Sequence, residues 1–209
     1  MNDPGGKRAT IGRVMPHTTA KVVDMNGNML LRGQRGELCT SGYALQRGYW
    51  KNQEKTDEVM KRDESGLLWM HTGDEVIIDA EGYAHITGRI KDIIIRGGEN
   101  IYPREIEERL ITHDSVSEAT VVGIKDEKYG EVVGCFLNLV KGSSKLTEIE
   151  VRKFVSEKLG RHKAPQFTFW IGDPGVGNDF PKTGSGKVKK HIMQNIGNEL
   201  VGKRAVSKL

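Results

Sequence analysis

A lysine on a glycine-rich loop is the first group in this sequence that could meet a phosphate. The stretch Pro181-Lys182-Thr183-Gly184-Ser185-Gly186-Lys187 carries it. It is not a Walker loop. That motif needs a glycine five positions before its last glycine and Ser or Thr after the lysine; here proline stands at 181 and valine at 188. Gly175-Val176-Gly177 fails as a dinucleotide fingerprint, because Phe180 replaces the third glycine and no strand–helix frame surrounds it. Two readings of the loop remain, a plain surface turn and a mobile loop that delivers Lys187 to a phosphate as a point charge. Thr72-Gly73-Asp74 is the second candidate. A carboxylate after a strand and a tight turn can accept two hydrogen bonds from a ribose diol; an exposed turn aspartate is the alternative.

The elements that must hold these groups divide at Gly88. Before it the pattern is mostly β. Thr19–Asp24 alternates, Asn26-Gly27 predicts a hairpin turn, and Met29–Arg32 predicts the returning strand. Gly36–Thr40, Leu67–Met70, Glu75–Asp79 and Tyr83–Thr87 read as further strands, with a short surface helix over 53–62. Beyond Gly88 the pattern is mixed. Ile93-Ile94-Ile95 predicts a buried strand and Gly97-Gly98-Glu99-Asn100 a turn. Pro103 suits a first helical position, with the helix running to Leu110. Glu118–Ile124, Val132–Val140 and Phe167–Ile171 predict strands. Leu146–Leu159 predicts a helix with a Thr147/Glu150 capping box and Leu146 stapled onto Val151. Residues 172–187 predict a glycine-rich loop, and Val188–Ile196 a closing helix.

Composition bounds the rest. The chain has 209 residues and 23.3 kDa, enough for one medium domain or two small ones and short for most two-substrate enzymes. Apolar residues at 36% and charged residues at 29% are those of a globular protein. No apolar run approaches the roughly 20 residues of a membrane helix, so no transmembrane segment is expected. Met1–Arg8 is polar and glycine-rich, so no signal peptide is expected. Cys39 and Cys135 lie far apart in apolar segments. That predicts two reduced, buried thiols, no disulfide and no metal site. The net charge is +4, with seven Lys/Arg against Glu199 from Lys182 onward. Such a tail can attract nucleic acid, nucleotide phosphates or coenzyme A, or serve as a solvated face. Nucleic acid is not expected, because the basic residues are not interleaved with aromatic stacking positions.

In order, the sequence carries Gly36-Glu37-Leu38-Cys39-Thr40-Ser41-Gly42, Gly48-Tyr49-Trp50-Lys51-Asn52 and Trp69-Met70-His71-Thr72-Gly73-Asp74. Gly88-Arg89-Ile90-Lys91-Asp92, Ile95-Arg96-Gly97-Gly98-Glu99-Asn100-Ile101-Tyr102-Pro103 and the Pro181–Lys187 loop follow. This series resembles the adenylate-forming enzymes (acyl-CoA synthetases, aryl-CoA ligases, luciferases and peptide-synthetase adenylation domains). The stretch from Arg96 to Pro103 is most similar to the medium-chain fatty-acyl-CoA synthetase branch.

The resemblance implies an acid–thiol ligase. A carboxylic or fatty acid and ATP, with Mg2+ bound with the help of the large domain missing here, give acyl-adenylate and pyrophosphate; the acyl group then passes to coenzyme A. It implies that Asp74 holds the ribose hydroxyls and Arg89 also contacts the nucleotide. Lys187 would be the catalytic lysine that reaches the α-phosphate and acyl carboxylate, where negative charge moves during adenylation. Lys91 would be the hinge on which a small domain turns between the half-reactions. Gly97 and Gly98 would line the coenzyme A channel, where a missing side chain lets the thiol arm approach backbone. Glu131 also fits the family pattern.

Its large-domain features are missing from these 209 residues. There is no Ser-Gly-Thr-Thr-Gly-x-Pro-Lys-Gly phosphate loop and no Tyr-Gly-x-Thr-Glu segment. The expected fold is α+β, with residues 1–88 the β-rich end of a large AMP-binding domain. Residues 89–92 would form the hinge and 93–209 the small C-terminal domain. The expected function is that of an acyl-CoA ligase in partial form, inactive in adenylation by itself. The alternative is a non-catalytic module that binds coenzyme A or a partner. Ser207-Lys208-Leu209 matches the tripeptide read by the peroxisomal import receptor, so a peroxisomal location is expected.

Overall fold

The structure, a computed structural model, describes residues 10–206. Ser207, Lys208 and Leu209 lie outside the described residues. The chain divides into two compact units, Met1–Lys91 and Asp92–Leu209. Both units hold a sheet and helices, an α+β architecture.

In the first unit, β1 (Thr18–Val23) pairs antiparallel with β2 (Arg35–Gly42). The helix α1 (Gln53–Val59) is capped by Asn52, whose side chain accepts from the Lys55 amide. It ends earlier than the pattern predicts, because Met60–Arg62 form β3 and pair with the start of β4 (Leu68–Ile78). β4 is one strand where the sequence predicts two, running through Thr72-Gly73-Asp74. It pairs with β2 along one edge, and with β3 and then β5 (Ala84–Arg89) along the other. The predicted strand Met29–Arg32 does not form. Met29 makes a single bridge to Val23, while Leu31 turns back through Gln34, whose side chain accepts from the Leu31 amide. Cys39, Val23 and Trp69 are the buried centre of this unit.

A 3-10 turn at Ile90–Asp92 precedes the second sheet. There β6 (Ile94–Arg96) and β7 (Glu99–Ile101) form a hairpin. Ile94 is buried and Ile95 exposed, so the isoleucine run makes a half-buried strand. The long pair β8 (Val116–Asp126) and β9 (Gly130–Leu139) dominates, with β10 (Phe167–Trp170) parallel on the other side of β9. Between them come α2 (Pro103–Leu110) and α3 (Glu148–Leu159), whose Thr147/Glu150 capping box is complete. The chain closes with α4 (Lys190–Val206). This helix starts later and runs further than predicted, because Val188 is still bridged to Lys182 while Leu200 and Val201 pack on the core.

Ile94, Ile101, Ile106, Leu110, Val151 and Val155 cover one face of the second sheet. Phe136, Phe169, Val176, Phe180 and Met193 cover the other. The long loop before Lys187 is therefore anchored at two points, Val176 and Phe180. Ile124 shows how tightly α4 seats. A Cβ built on Gly134 would lie 2.5 Å from Ile124 Cγ1, and one on Gly197 would collide with Ile124 Cδ1 and lie 3.3 Å from Phe136. An isolated helix gains about 1 kcal/mol from Gly→Ala, but overpacking a filled core costs about 1–3 kcal/mol. Gly197→Ala is therefore expected to destabilise the protein in urea unfolding. Ile124→Val, which removes the colliding methyl, is expected to recover part of the loss. A more stable Gly197→Ala protein contradicts this packing.

Candidate functional site

Alternation along β2 puts Glu37 and Cys39 on one face. Opposite them the register jumps. Glu37 pairs with Glu75 and Cys39 with His71, so two steps on β2 answer four on β4. The surplus is taken up at Thr72-Gly73-Asp74. Gly73 sits at φ +70°, in the left-handed region that glycine enters without a Cβ clash. The bulge is pinned on both sides. Glu37 Oε1 accepts from the Gly73 amide at 3.0 Å. Thr72 Oγ1 donates to the Leu38 carbonyl at 2.8 Å and accepts from the Asp74 amide at 3.1 Å.

Asp74 leaves the bulge directly opposite Arg89 on β5. Arg89 Nε and Asp74 Oδ1 are 3.0 Å apart, with Arg89 mostly exposed and Asp74 half-buried. The two residues expected to contact a nucleotide thus meet, and pair with each other.

Lys91 is paired as well. Its Nζ lies 2.9 Å from Glu58 Oε1, and Lys55 Nζ lies 2.6 Å from Glu58 Oε2. The hydrogen bond from Lys55 first, then that from Lys91, pull the Glu58 carboxyl down to about 2 from an ordinary 4.5. The bond to Glu58 raises Lys91 in turn.

In the second unit, Gly97 and Gly98 are the two central residues of the β6–β7 hairpin, at φ +58° and +88°. A turn with both φ positive requires such residues, so the geometry explains both glycines locally. The turn is held by the Gly97 amide donating to the Tyr129 carbonyl at 2.8 Å, and by Arg96 lying 4.3 Å over the Tyr129 ring. Glu131 ties this hairpin to the rest. Its carboxylate accepts from the Ile95 amide at 3.0 Å and from Gln194 Nε2 at 3.3 Å. Lys187 sits on a tight hairpin, not a loose loop. Thr183 N donates to Lys187 O at 2.8 Å, Lys187 N donates to Thr183 Oγ1 at 3.1 Å, and Lys189 N donates to Pro181 O at 2.8 Å. The Lys187 side chain is exposed, with no ion pair among the described residues.

The sequence reading missed one cluster. Glu37 Oε2 lies 2.7 Å from His71 Nδ1, and Cys39 Sγ lies 3.5 Å from the same nitrogen. The three ligand atoms are within 4.8 Å of one another. The available signal was the spacing of Glu37 and Cys39 on one strand; the pairing with His71 needs the register across the bulge. Both cysteines are free and buried, as expected. Burial first, then the Glu37 charge, raises the Cys39 thiol to about 11; burial raises Cys135 to about 12.

Comparison with known proteins fits this geometry into a larger frame. Residues 105–187 match the AMP-binding enzyme C-terminal domain family, and residues 1–50 match the AMP-binding enzyme family. The acyl-CoA ligase sidI of Beauveria bassiana is 56% identical over 96% of this chain and 35% of its own length. The mitochondrial medium-chain acyl-CoA ligase ACSF2 of Danio rerio is 40% identical over 94% of this chain and 31% of its own. Among solved structures, ATP-bound MatB from Rhodopseudomonas palustris aligns with a TM-score of 0.79 and 30% identity, over 92% of this chain and 36% of that one. The chain spans about a third of the length of the relatives it matches.

The Glu58 pairing generates a pH prediction. A depressed carboxyl contributes stability above its ordinary value and loses it as pH falls from 4.5 toward about 2. NMR titration of the Glu58 carboxyl is expected to give a midpoint near about 2. Lys91→Ala is expected to move it upward. A midpoint at 4.5 in the unaltered protein contradicts the tether on Lys91.

Proposed function

We propose, from the premise that this chain belongs to the AMP-binding enzymes and carries their C-terminal portion, that it serves an acyl-CoA ligase acting on a fatty or other carboxylic acid. What carries the reading is the ordered motif series, together with Asp74 and Arg89 paired across adjacent strands and Lys187 presented on a braced hairpin with no ion pair among the described residues. In the first half-reaction an acid oxygen attacks the α-phosphorus of ATP, the Pα–O bond to the β-phosphate breaks, and pyrophosphate leaves. Asp74 would accept from the two ribose hydroxyls. Arg89, already at hand, would turn from Asp74 toward the nucleotide. The charge of Lys187 would offset the negative charge that builds on the phosphate and acyl oxygens, where a fixed donor is worth most. In the second half-reaction the coenzyme A thiol attacks the acyl carbon and AMP leaves. Lys91 would be the pivot between the two arrangements, and the open backbone at Gly97-Gly98 would flank the thiol arm.

Mg2+ takes several oxygen ligands in octahedral geometry. Among the described residues, the cluster of three ligand-bearing side chains holds a thiol and an imidazole. These residues do not fit Mg2+.

Several donors acting together stabilise such a transition state, and losing one alone costs about 10²–10³ in rate. These 209 residues contain Asp74, Arg89 and Lys187 without a phosphate loop. Purified alone, the chain is therefore expected to catalyse no pyrophosphate exchange. Joined to a matching large domain it is expected to regain exchange and thioester formation. In that form Lys187→Ala is expected to lower adenylation about 10²-fold or more. Thioester formation from supplied acyl-adenylate should fall far less. Equal damage to both steps contradicts the role of Lys187, and no activity of the joined protein with any acid contradicts the ligase reading.

A further inference from the structure

The Glu37–Cys39–His71 cluster has no part in the chemistry above, and its donors are those of a borderline-soft divalent cation. We propose that these three side chains form a zinc-class metal site on the β2–β4 ladder.

The argument begins with the backbone. Glu37 and Cys39 are two apart on β2, and His71 is the register partner of Cys39 on β4. All three side chains therefore leave one face of paired strands, which holds ligands more rigidly than a loop does. Thiolate, imidazole and carboxylate are the ligand types of tetrahedral zinc.

The distances approach that geometry; the Glu37–Cys39 edge, within 4.8 Å, must close to about 3.5 Å. With Zn–S near 2.3 Å and Zn–N near 2.0 Å, a tetrahedral angle puts sulfur and nitrogen about 3.5 Å apart. Cys39 Sγ and His71 Nδ1 are 3.5 Å apart. The Glu37 to His71 separation of 2.7 Å is that of a hydrogen bond. It must open by about 0.6 Å to reach a tetrahedral edge. A small rotation of the carboxylate supplies this while Oε1 stays on the Gly73 amide. That amide would orient the ligating carboxylate from behind, as outer-shell partners do in metal sites.

Burial and the Glu37 charge hold the Cys39 thiol up, and Lys21, its β1 neighbour, and Lys61 offset this only in part, so the metal itself must displace the proton. Cys39 is fully buried, while Glu37 and His71 each keep about a fifth of their side-chain surface exposed. An ion would enter past those two, and water would fill the fourth position. The balance is simple. The thiol gives up its proton to solvent as the metal–sulfur bond forms. Any proton on His71 Nδ1 leaves to solvent, with Nε2 carrying the ring's one remaining proton, which frees the Nδ1 lone pair. No electrons are transferred.

Co2+ added to the purified 209-residue chain tests the site, because a cobalt–thiolate bond gives a near-ultraviolet charge-transfer band and tetrahedral cobalt gives intense visible bands. Both are expected at one equivalent and are expected to vanish when Zn2+ is added. Cys39→Ser should abolish the charge-transfer band and Cys135→Ser should keep it. Glu37→Gln and His71→Ala should each weaken binding at least about 10-fold, the cost of losing even an outer-shell partner. Far-ultraviolet circular dichroism checks that each variant is folded. Should Cys39→Ser fail to fold, the unaltered protein still decides. Zn2+ should shield Cys39, and not Cys135, from alkylation as read by peptide mass spectrometry. No thiolate band at large excess of Co2+, a band that survives Cys39→Ser, or equal alkylation of Cys39 with and without Zn2+ would overturn the proposal.

Discussion

One carboxylate fixes the working edge of the first unit. Glu37 is the residue after which β2 and β4 lose step, and its two oxygens hold one end of the mismatch, His71, and its middle, Gly73. Oε1 takes the Gly73 amide and Oε2 faces His71 Nδ1. Without that anchor the Thr72-Gly73-Asp74 bulge would have one fewer partner for a backbone amide that the ladder cannot satisfy. The direction in which Asp74 points, and so its pairing with Arg89, follows from this local departure from regular pairing. A bulge re-aims one side chain without disturbing the strands on either side, which suits the ligand contact proposed for Asp74. The same carboxylate orients the imidazole beside Cys39, so the two proposed sites share one structural cause.

The second unit solves its own positioning problem by filling space. Ile124 occupies the room left by Gly134 on β9 and Gly197 on α4, so the helix lies close on the sheet. Glu131 adds a polar brace between β6, β9 and α4, with Gln194 also donating to the Gly123 carbonyl. Gly123 has no room for a side chain because the Glu131 carboxylate occupies it. The hairpin of Lys187 starts from this braced ground, directly after the buried Phe180 and directly before α4. An exposed lysine can then be presented by a backbone that is itself well held. Mobility at that point would have to come from movement of larger pieces, because the hairpin's own hydrogen bonds are satisfied.

Much of this was legible in the sequence where the cause is local. The Thr147/Glu150 capping box, Pro103 at the start of α2 and the Gly97-Gly98 turn depend on neighbours within a few residues, and each formed. Motif order also pointed to the candidate site residues, because each motif is a short stretch of chain. What escaped was non-local. The continuity of β4 through Gly73 depends on partners on β2 and β5. Two strands were expected because glycine usually marks a turn, and here it marks a bulge. The cysteines were read correctly as buried and unpaired, yet Cys39 meets His71, a residue 32 positions away. Only strand register brings those two together, and the jump at the bulge sets that register. Met29–Arg32 failed for the opposite reason: the Asn26-Gly27 turn predicted a returning strand, but the Gln34 side chain captures the Leu31 amide and turns the chain.

Hydrogen exchange at single amides tests the claim that Glu37 sets the bulge. The Gly73 amide donates to Glu37 Oε1, and the Asp74 amide donates to Thr72 Oγ1. In the unaltered protein both are expected to exchange slowly by NMR. Glu37→Ala is expected to release the Gly73 amide to fast exchange and to shift the Asp74 and Arg89 resonances with it, while amides of β8 and β9 stay protected. Unchanged protection at Gly73 in the Glu37→Ala protein would show that the bulge stands without its carboxylate, and would contradict the account.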